Sequence, residues 1–98
     1  MPENRKKRLE RTRPARAAYD ASIAYIADDD PNTAQMVEAR VAKSLLLLAM
    51  QPGMGTPGKL PGRRVYPIPR IGFSINYRIT GDAIVVDRWY RQRQNVLK

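Results

Sequence analysis

Phe73, Ile75, Tyr77 and Ile79 alternate with Ser74, Asn76 and Arg78. A period of two puts alternate side chains on opposite faces, so this stretch reads as a strand with one apolar face and one polar face. Gly81-Asp82 follows as a tight hairpin turn, and Ala83–Tyr90 returns beside it. Arg63–Ile68 reads as a third strand. Strands at about 63–68, 71–80 and 83–90 make an antiparallel meander. One face of such a sheet must be covered, and this demand constrains everything upstream.

The upstream chain supplies the cover as two helices, about 14–28 and 31–50. Pro14 suits a first helical turn. Ala15, Ala18, Tyr19, Ser22, Ile23 and Ile26 recur at helical spacing, and the run stops at Asp28-Asp29-Asp30-Pro31. Asp30 suits an N-cap and Pro31 opens the second helix. Its buried stripe is Ala34, Val37, Val41, Ser44, Leu45 and Leu48, while Leu46 and Leu47 fall off the stripe and read first as core, and otherwise as part of an apolar groove that a partner covers. Pro52, Gly53, Gly55, Pro57, Gly58, Pro61 and Gly62 break all periodicity across the loop 51–62. Lys6–Thr12 is a candidate edge strand, and 91–98 is a basic tail. The expected fold is α+β in a single domain over 1–98. An antiparallel three- to four-stranded sheet is packed on one face by an N-terminal helical hairpin. Strict parity in the last strand turns Ile84 and Val86 to the helices and Val85, Asp87 and Trp89 away. With Val65 inward, Arg64 and Tyr66 join Ser74, Asn76 and Arg78 on the outer face.

Composition removes several chemistries. Cysteine is absent, so there is no disulfide and no thiolate nucleophile. Histidine is absent too, which removes the usual general base and the commonest metal ligand. We expect no metal and no small-molecule cofactor. No apolar run approaches a membrane span, and residues 1–13 lack the apolar core of a secretory signal, so a cytoplasmic location is expected. Charge concentrates at the ends. Residues 1–13 hold six Lys/Arg against two Glu, residues 14–58 hold three against five acids, and residues 59–98 hold nine against two. Seven arginines interleave with Tyr66, Tyr77, Trp89 and Tyr90 in the meander, a combination suited to a polyanion or an acidic partner.

Two motifs carry nothing. Gly53–Lys59 matches GxxxxGK, but Leu60 stands where a phosphate-binding loop needs Ser or Thr. The segment also follows a helix, and no helix follows it. The Asp28–Asp30 run is cut by Pro31 and closed by no Glu, so it reads as a helix cap and not as a calcium loop.

Tyr25-Ile26-Ala27 with Asp28-Asp29-Asp30-Pro31, and then Gln51-Pro52-Gly53, resemble the inter-helix corner and post-helix signal of the RelE/ParE toxin superfamily. Arg64-Val65-Tyr66-Pro67, Phe73–Arg78 and Val85–Tyr90 resemble its three-stranded end. The acidic corner and long second helix are closer to the ParE branch. The resemblance implies a toxin of a bacterial type II toxin–antitoxin system, neutralised by a cognate antitoxin. In the ParE branch the target is DNA gyrase, without established catalysis. In the RelE branch it is messenger RNA, cut in the ribosomal A site. A third reading is a non-toxic basic nucleic-acid-binding module.

The resemblance also assigns candidate sites. In a ribonuclease Arg64 would stabilise the phosphate, Tyr90 would be the acid, and Arg91 or Arg93 would clamp the backbone. Arg64, Tyr90 and Arg93 are thus the catalytic candidates. Ser74 stands where RelE-type enzymes place an arginine, which favours inhibition without catalysis. Target- or nucleic-acid-binding candidates are Arg63, Arg64, Arg70, Arg78, Arg91 and Arg93. Asp87 and Arg88 are read as charges paired across strands. Leu46, Leu47 and Trp89 are the antitoxin-contacting candidates.

Overall fold

The computed structural model describes residues 6–92. Five strands form one mixed sheet: β1 (Arg8–Arg11), β2 (Thr56–Pro57), β3 (Arg63–Ile68), β4 (Phe73–Thr80) and β5 (Ala83–Arg91), in the order β1-β5-β4-β3-β2. The β2–β3, β3–β4 and β4–β5 pairs are antiparallel. The edge strand β1 departs from the expected antiparallel sheet, because it runs parallel to β5, with Arg8 opposite Ala83 and Arg11 opposite Val86. A parallel neighbour needs a long crossover, and the whole helical hairpin is available to provide it.

The helices α1 (Arg13–Asp29) and α2 (Pro31–Met50) start where their caps dictate. Thr12 Oγ1 accepts from the Ala15 amide at 3.3 Å. Asp30 closes α1 by donating its amide to the Ile26 carbonyl. It opens α2 by accepting from the Asn32 and Thr33 amides and from the Thr33 hydroxyl, the last at 2.8 Å. These bonds hold its carboxyl below the usual carboxylate range, the Thr33 hydroxyl contributing most.

Ala15, Val37, Val41 and Leu48 of the hairpin pack against Ile68, Phe73, Ile75, Tyr77, Ile84 and Val86 of the sheet. Leu48, Ile84 and Tyr77 are fully buried. Each such side chain contributes roughly 1.5–3 kcal/mol by leaving water. The Tyr77 hydroxyl keeps its hydrogen bonds at depth, accepting from the Gly55 amide at 2.9 Å and donating to the Pro52 carbonyl at 2.6 Å. This pins the turn after α2 onto the sheet. Position 55 must be glycine here, since a Cβ would sit 2.7 Å from the Tyr77 hydroxyl oxygen and from the Val65 carbonyl.

Two expected facings are reversed. In β3, Arg64 lies opposite Tyr77 and Tyr66 opposite Ile75, on the helix side, while Val65 lies opposite Asn76 on the open side. Ile68 is 1% exposed and sets the phase, because turning Val65 inward would turn Ile68 out. In β5, Tyr77 pairs with Val86 but Asn76 pairs with Arg88, so Asp87 is an extra, bulged residue. The bulge shifts parity by one, and Trp89 therefore points into the core. It is 6% exposed, stacks on Phe73 with centroids 4.5 Å apart, meets Tyr19 edge-on and donates from Nε1 to Ser22 Oγ at 3.0 Å. Strict parity turns Trp89 outward; the structure buries it instead, so little of this antitoxin-contacting candidate reaches the surface of the free chain.

Candidate functional site

The face of the sheet away from the helices presents Arg63 and Val65 of β3, Ser74, Asn76 and Arg78 of β4, and Asp87, Arg88 and Tyr90 of β5. Pairing places them together, since Arg63 lies opposite Arg78, Asn76 opposite Arg88, and Ser74 opposite Tyr90. A groove of about 470 Å³ runs between the Gly58–Leu60 loop and Arg63, Asn76, Arg88 and Tyr90. The Tyr90 hydroxyl donates to Asn76 Oδ1 at 3.0 Å, and the Arg88 guanidinium sits over the Tyr90 ring, 5.1 Å from its centroid. A cation, an aromatic plane and an amide thus share one wall, and a loop lysine, Lys59, faces them across the groove.

Asp87 is the acid of this face. Its Oδ2 is bonded by Arg63 Nη1, and Arg78 Nε lies 3.8 Å from the same oxygen. The carboxylate is almost enclosed, with 12% of its side chain exposed, and Oδ1 accepts no hydrogen bond from the described residues. Asp87 is thus paired across strands as expected, whereas Arg88 reaches over the Tyr90 ring. Residues 88 and 87 are neighbours in the chain, and the bulge leaves the carboxylate nearer the Arg63–Arg78 pair.

The arginines marked by the sequence are not one cluster. Arg64 faces the helices and donates from Nε to the Gly55 carbonyl at 3.2 Å and from Nη2 to the Gly53 carbonyl at 3.3 Å. It lies across the sheet from Tyr90, so those two cannot flank one scissile bond. Arg70 is exposed in the β3–β4 turn with φ 70°, a left-handed conformation uncommon outside glycine. Arg91 is exposed, and its guanidinium sits 5.1 Å from the Phe73 centroid, on the helix side. Arg93 lies outside the described residues. Ser74 is buried at 4% exposure and takes a hydrogen bond from Gln92 Nε2 at 3.1 Å. Sequence reasoning passed over Arg88 and Lys59 as site residues. The signal for Arg88 was the apolar spacing Ile84, Val86, Trp89, whose last step is three residues instead of two.

The Gly53–Lys59 segment has no phosphate cradle, because the Gly55 amide is spent on Tyr77. Among the described residues no three Asp or Glu side chains gather as metal ligands, and no helix is long and apolar enough to cross a membrane. A second surface lies on the outside of α2, where Met36, Leu46, Leu47 and Met50 are exposed, Leu46 by 47%. Large apolar side chains left together on one helix face mark an interaction surface.

Comparison with known proteins agrees with this architecture. The family model described as "ParE toxin of type II toxin-antitoxin system, parDE" matches residues 9–96. The Sinorhizobium fredii protein named "Putative toxin Y4kP" is 33% identical over 89 residues, spanning 91% of this chain and 93% of its own. A solved chain described as "Chromosomal ParDE TA system from P. aeruginosa" shares the fold with a TM-score of 0.78 and 26% identity, over 90% of this chain and 98% of that one. With the family model spanning nearly the whole sequence and the sheet and hairpin superposing on a solved relative, the chain belongs to the ParE toxin family of type II toxin–antitoxin systems.

Proposed function

We propose that this toxin arrests growth by binding DNA gyrase through the open face of its sheet, without cleaving RNA, and that a cognate antitoxin neutralises it by covering the outer face of α2. Membership of a toxin–antitoxin family supplies the antitoxin partner, and the exposed Leu46 and Leu47 supply an apolar surface for it. The reading against catalysis rests above all on the separation of Arg64 and Tyr90 by the thickness of the sheet. Cutting RNA requires a group that takes the 2′-hydroxyl proton, a cation on the phosphate and an acid at the leaving oxygen, all around one atom. Here the nominated cation holds loop carbonyls and the nominated acid donates to Asn76. Binding a protein surface asks less of geometry. A half-open groove with a stacked arginine and tyrosine is the kind of place where interface energy concentrates.

The test is induced expression with two readouts taken from the same cells, plasmid supercoiling and message integrity. Loss of negative supercoiling with intact messages is the expected result. Codon-specific cleavage of translated messages with supercoiling unchanged would transfer the chain to the ribonuclease reading.

A further inference from the structure

Arg63 and Arg78 lie directly opposite each other on the open face. Like charges so placed repel. The bulge delivers Asp87 beside them, and one oxygen, Oδ2, faces both guanidiniums. We propose that Asp87 is an internal counter-ion that decides what this face binds. It withholds Arg63 and Arg78 from phosphate, so that the groove selects a protein surface over a nucleic-acid backbone. The inference rests on the open-face reading above and concerns its choice of partner.

A phosphate is held by arginine through the guanidinium fork, with its charge neutralised at close range. To use Arg63, an RNA strand must displace the Asp87 carboxylate. That carboxylate has nowhere to turn, since it is nearly enclosed and its Oδ1 has no donor among the described residues. Displacement leaves a buried charge unpaired, which is strongly unfavourable. A basic chain with a net charge of +9 would otherwise be a ready non-specific binder of nucleic acid. Asp87, the single acid on this face among the described residues, removes its two central cations from that competition.

Salt dependence reads this directly. Each phosphate contact on a single strand adds about 0.7 to the slope of log K against log salt. The probe is a fluorescent single-stranded oligoribonucleotide of mixed sequence, titrated with purified toxin over a salt series, with folding checked by circular dichroism. Asp87→Asn is expected to raise low-salt affinity about tenfold and to steepen the slope by about 0.7–1.4, the value for one or two added contacts. Arg63→Ala alone is expected to change RNA affinity by less than about twofold, because that arginine is already occupied. The double variant should lose most of the Asp87→Asn gain, which a purely structural role for Asp87 would not produce. An unchanged slope in folded Asp87→Asn overturns the proposal. If Asp87→Asn does not fold, the salt slope of folded Arg63→Ala still decides, since a slope shallower by about 0.7 there would mean that Arg63 was already contacting a phosphate and was never withheld. Gyrase inhibition by the unaltered toxin is scored separately, so failure of the open-face reading is distinguishable from failure of this one.

Discussion

At the scale of single residues, Tyr90 and Arg64 separate the competing readings. Tyr90→Phe keeps the ring under Arg88 and removes only the bond to Asn76. A surface hydrogen bond of this kind is worth roughly 0.5–1.5 kcal/mol, so growth arrest should be nearly unchanged. A nuclease that used this hydroxyl as its acid would lose about 10²–10⁴-fold in rate. Titrating inducer against growth rate in the two strains distinguishes these outcomes. Arg64→Ala belongs to stability instead. It frees the Gly53 and Gly55 carbonyls and should lower unfolding free energy by about 1 kcal/mol, measured in urea, with any loss of toxicity following from loss of fold. Asp30 gives a pH signature. Its carboxyl is held below its unfolded value, so the stability it contributes is present above the ordinary carboxylate range and is lost as pH falls through the lowered folded value. Asn caps helices about as well as Asp but carries no charge. Asp30→Asn should therefore keep α2 and flatten the acid end of the stability curve, as read from thermal midpoints below about pH 5.

At the scale of elements, the bulge in β5 governs both faces at once. Deleting Asp87 would remove the extra residue and leave Arg88 opposite Asn76 and Trp89 opposite Ile75, so the stack on Phe73 should survive while Arg63 and Arg78 lose their acid. Trp89→Ala, which does remove the ring, should cost about 3–5 kcal/mol, the deletion should cost clearly less, and chemical denaturation curves of the two variants would show it. Most elements were legible in the sequence because each boundary has a local cause. Pro14 opens the first helix, Asp30-Pro31 divides the hairpin, and Gly81-Asp82 turns β4 into β5. What was not legible was phase. Parity arguments assume an unbroken pleat, and one inserted residue reverses every assignment beyond it. Strict parity therefore places Trp89 on the outside, where the structure buries it. In β3 the apolar residues Val65, Tyr66 and Ile68 fit either phase until Ile68 is seen to be buried. The two-residue strand β2 and the 3₁₀ turn at Pro52–Met54 sat within a segment whose composition indicates only a loop.

At the scale of the whole molecule, the two candidate surfaces are separate. The outer face of α2 and the open face of the sheet look in different directions, with the core between them. An antitoxin on α2 need not touch the groove beside Tyr90. Changing both Leu46 and Leu47 to Glu should weaken antitoxin binding by about 10–100-fold, the scale of losing one or two anchor residues. Growth arrest should persist, and co-expression of antitoxin should no longer relieve it. Calorimetry of the purified pair and a co-expression plate assay measure the two halves of this expectation. Arrest and rescue lost together would instead place target and antitoxin on one surface.

The parallel pairing of β1 with β5 has a consequence for synthesis. Arg8 finds its partner at Asp82, 74 positions later in the chain. A ribosome making this protein emits the hairpin long before the strand that seats its N-terminal edge. Until then Leu48, Val41 and Val37 have only an unfinished sheet to cover them. The long closure must be completed before the distant contacts stabilise it, which places β1 docking among the last folding events. A message truncated before Ala83 would yield a chain with neither the β5 wall of the groove nor a seat for β1. The open face of the sheet therefore exists only once nearly all of the described chain has been made.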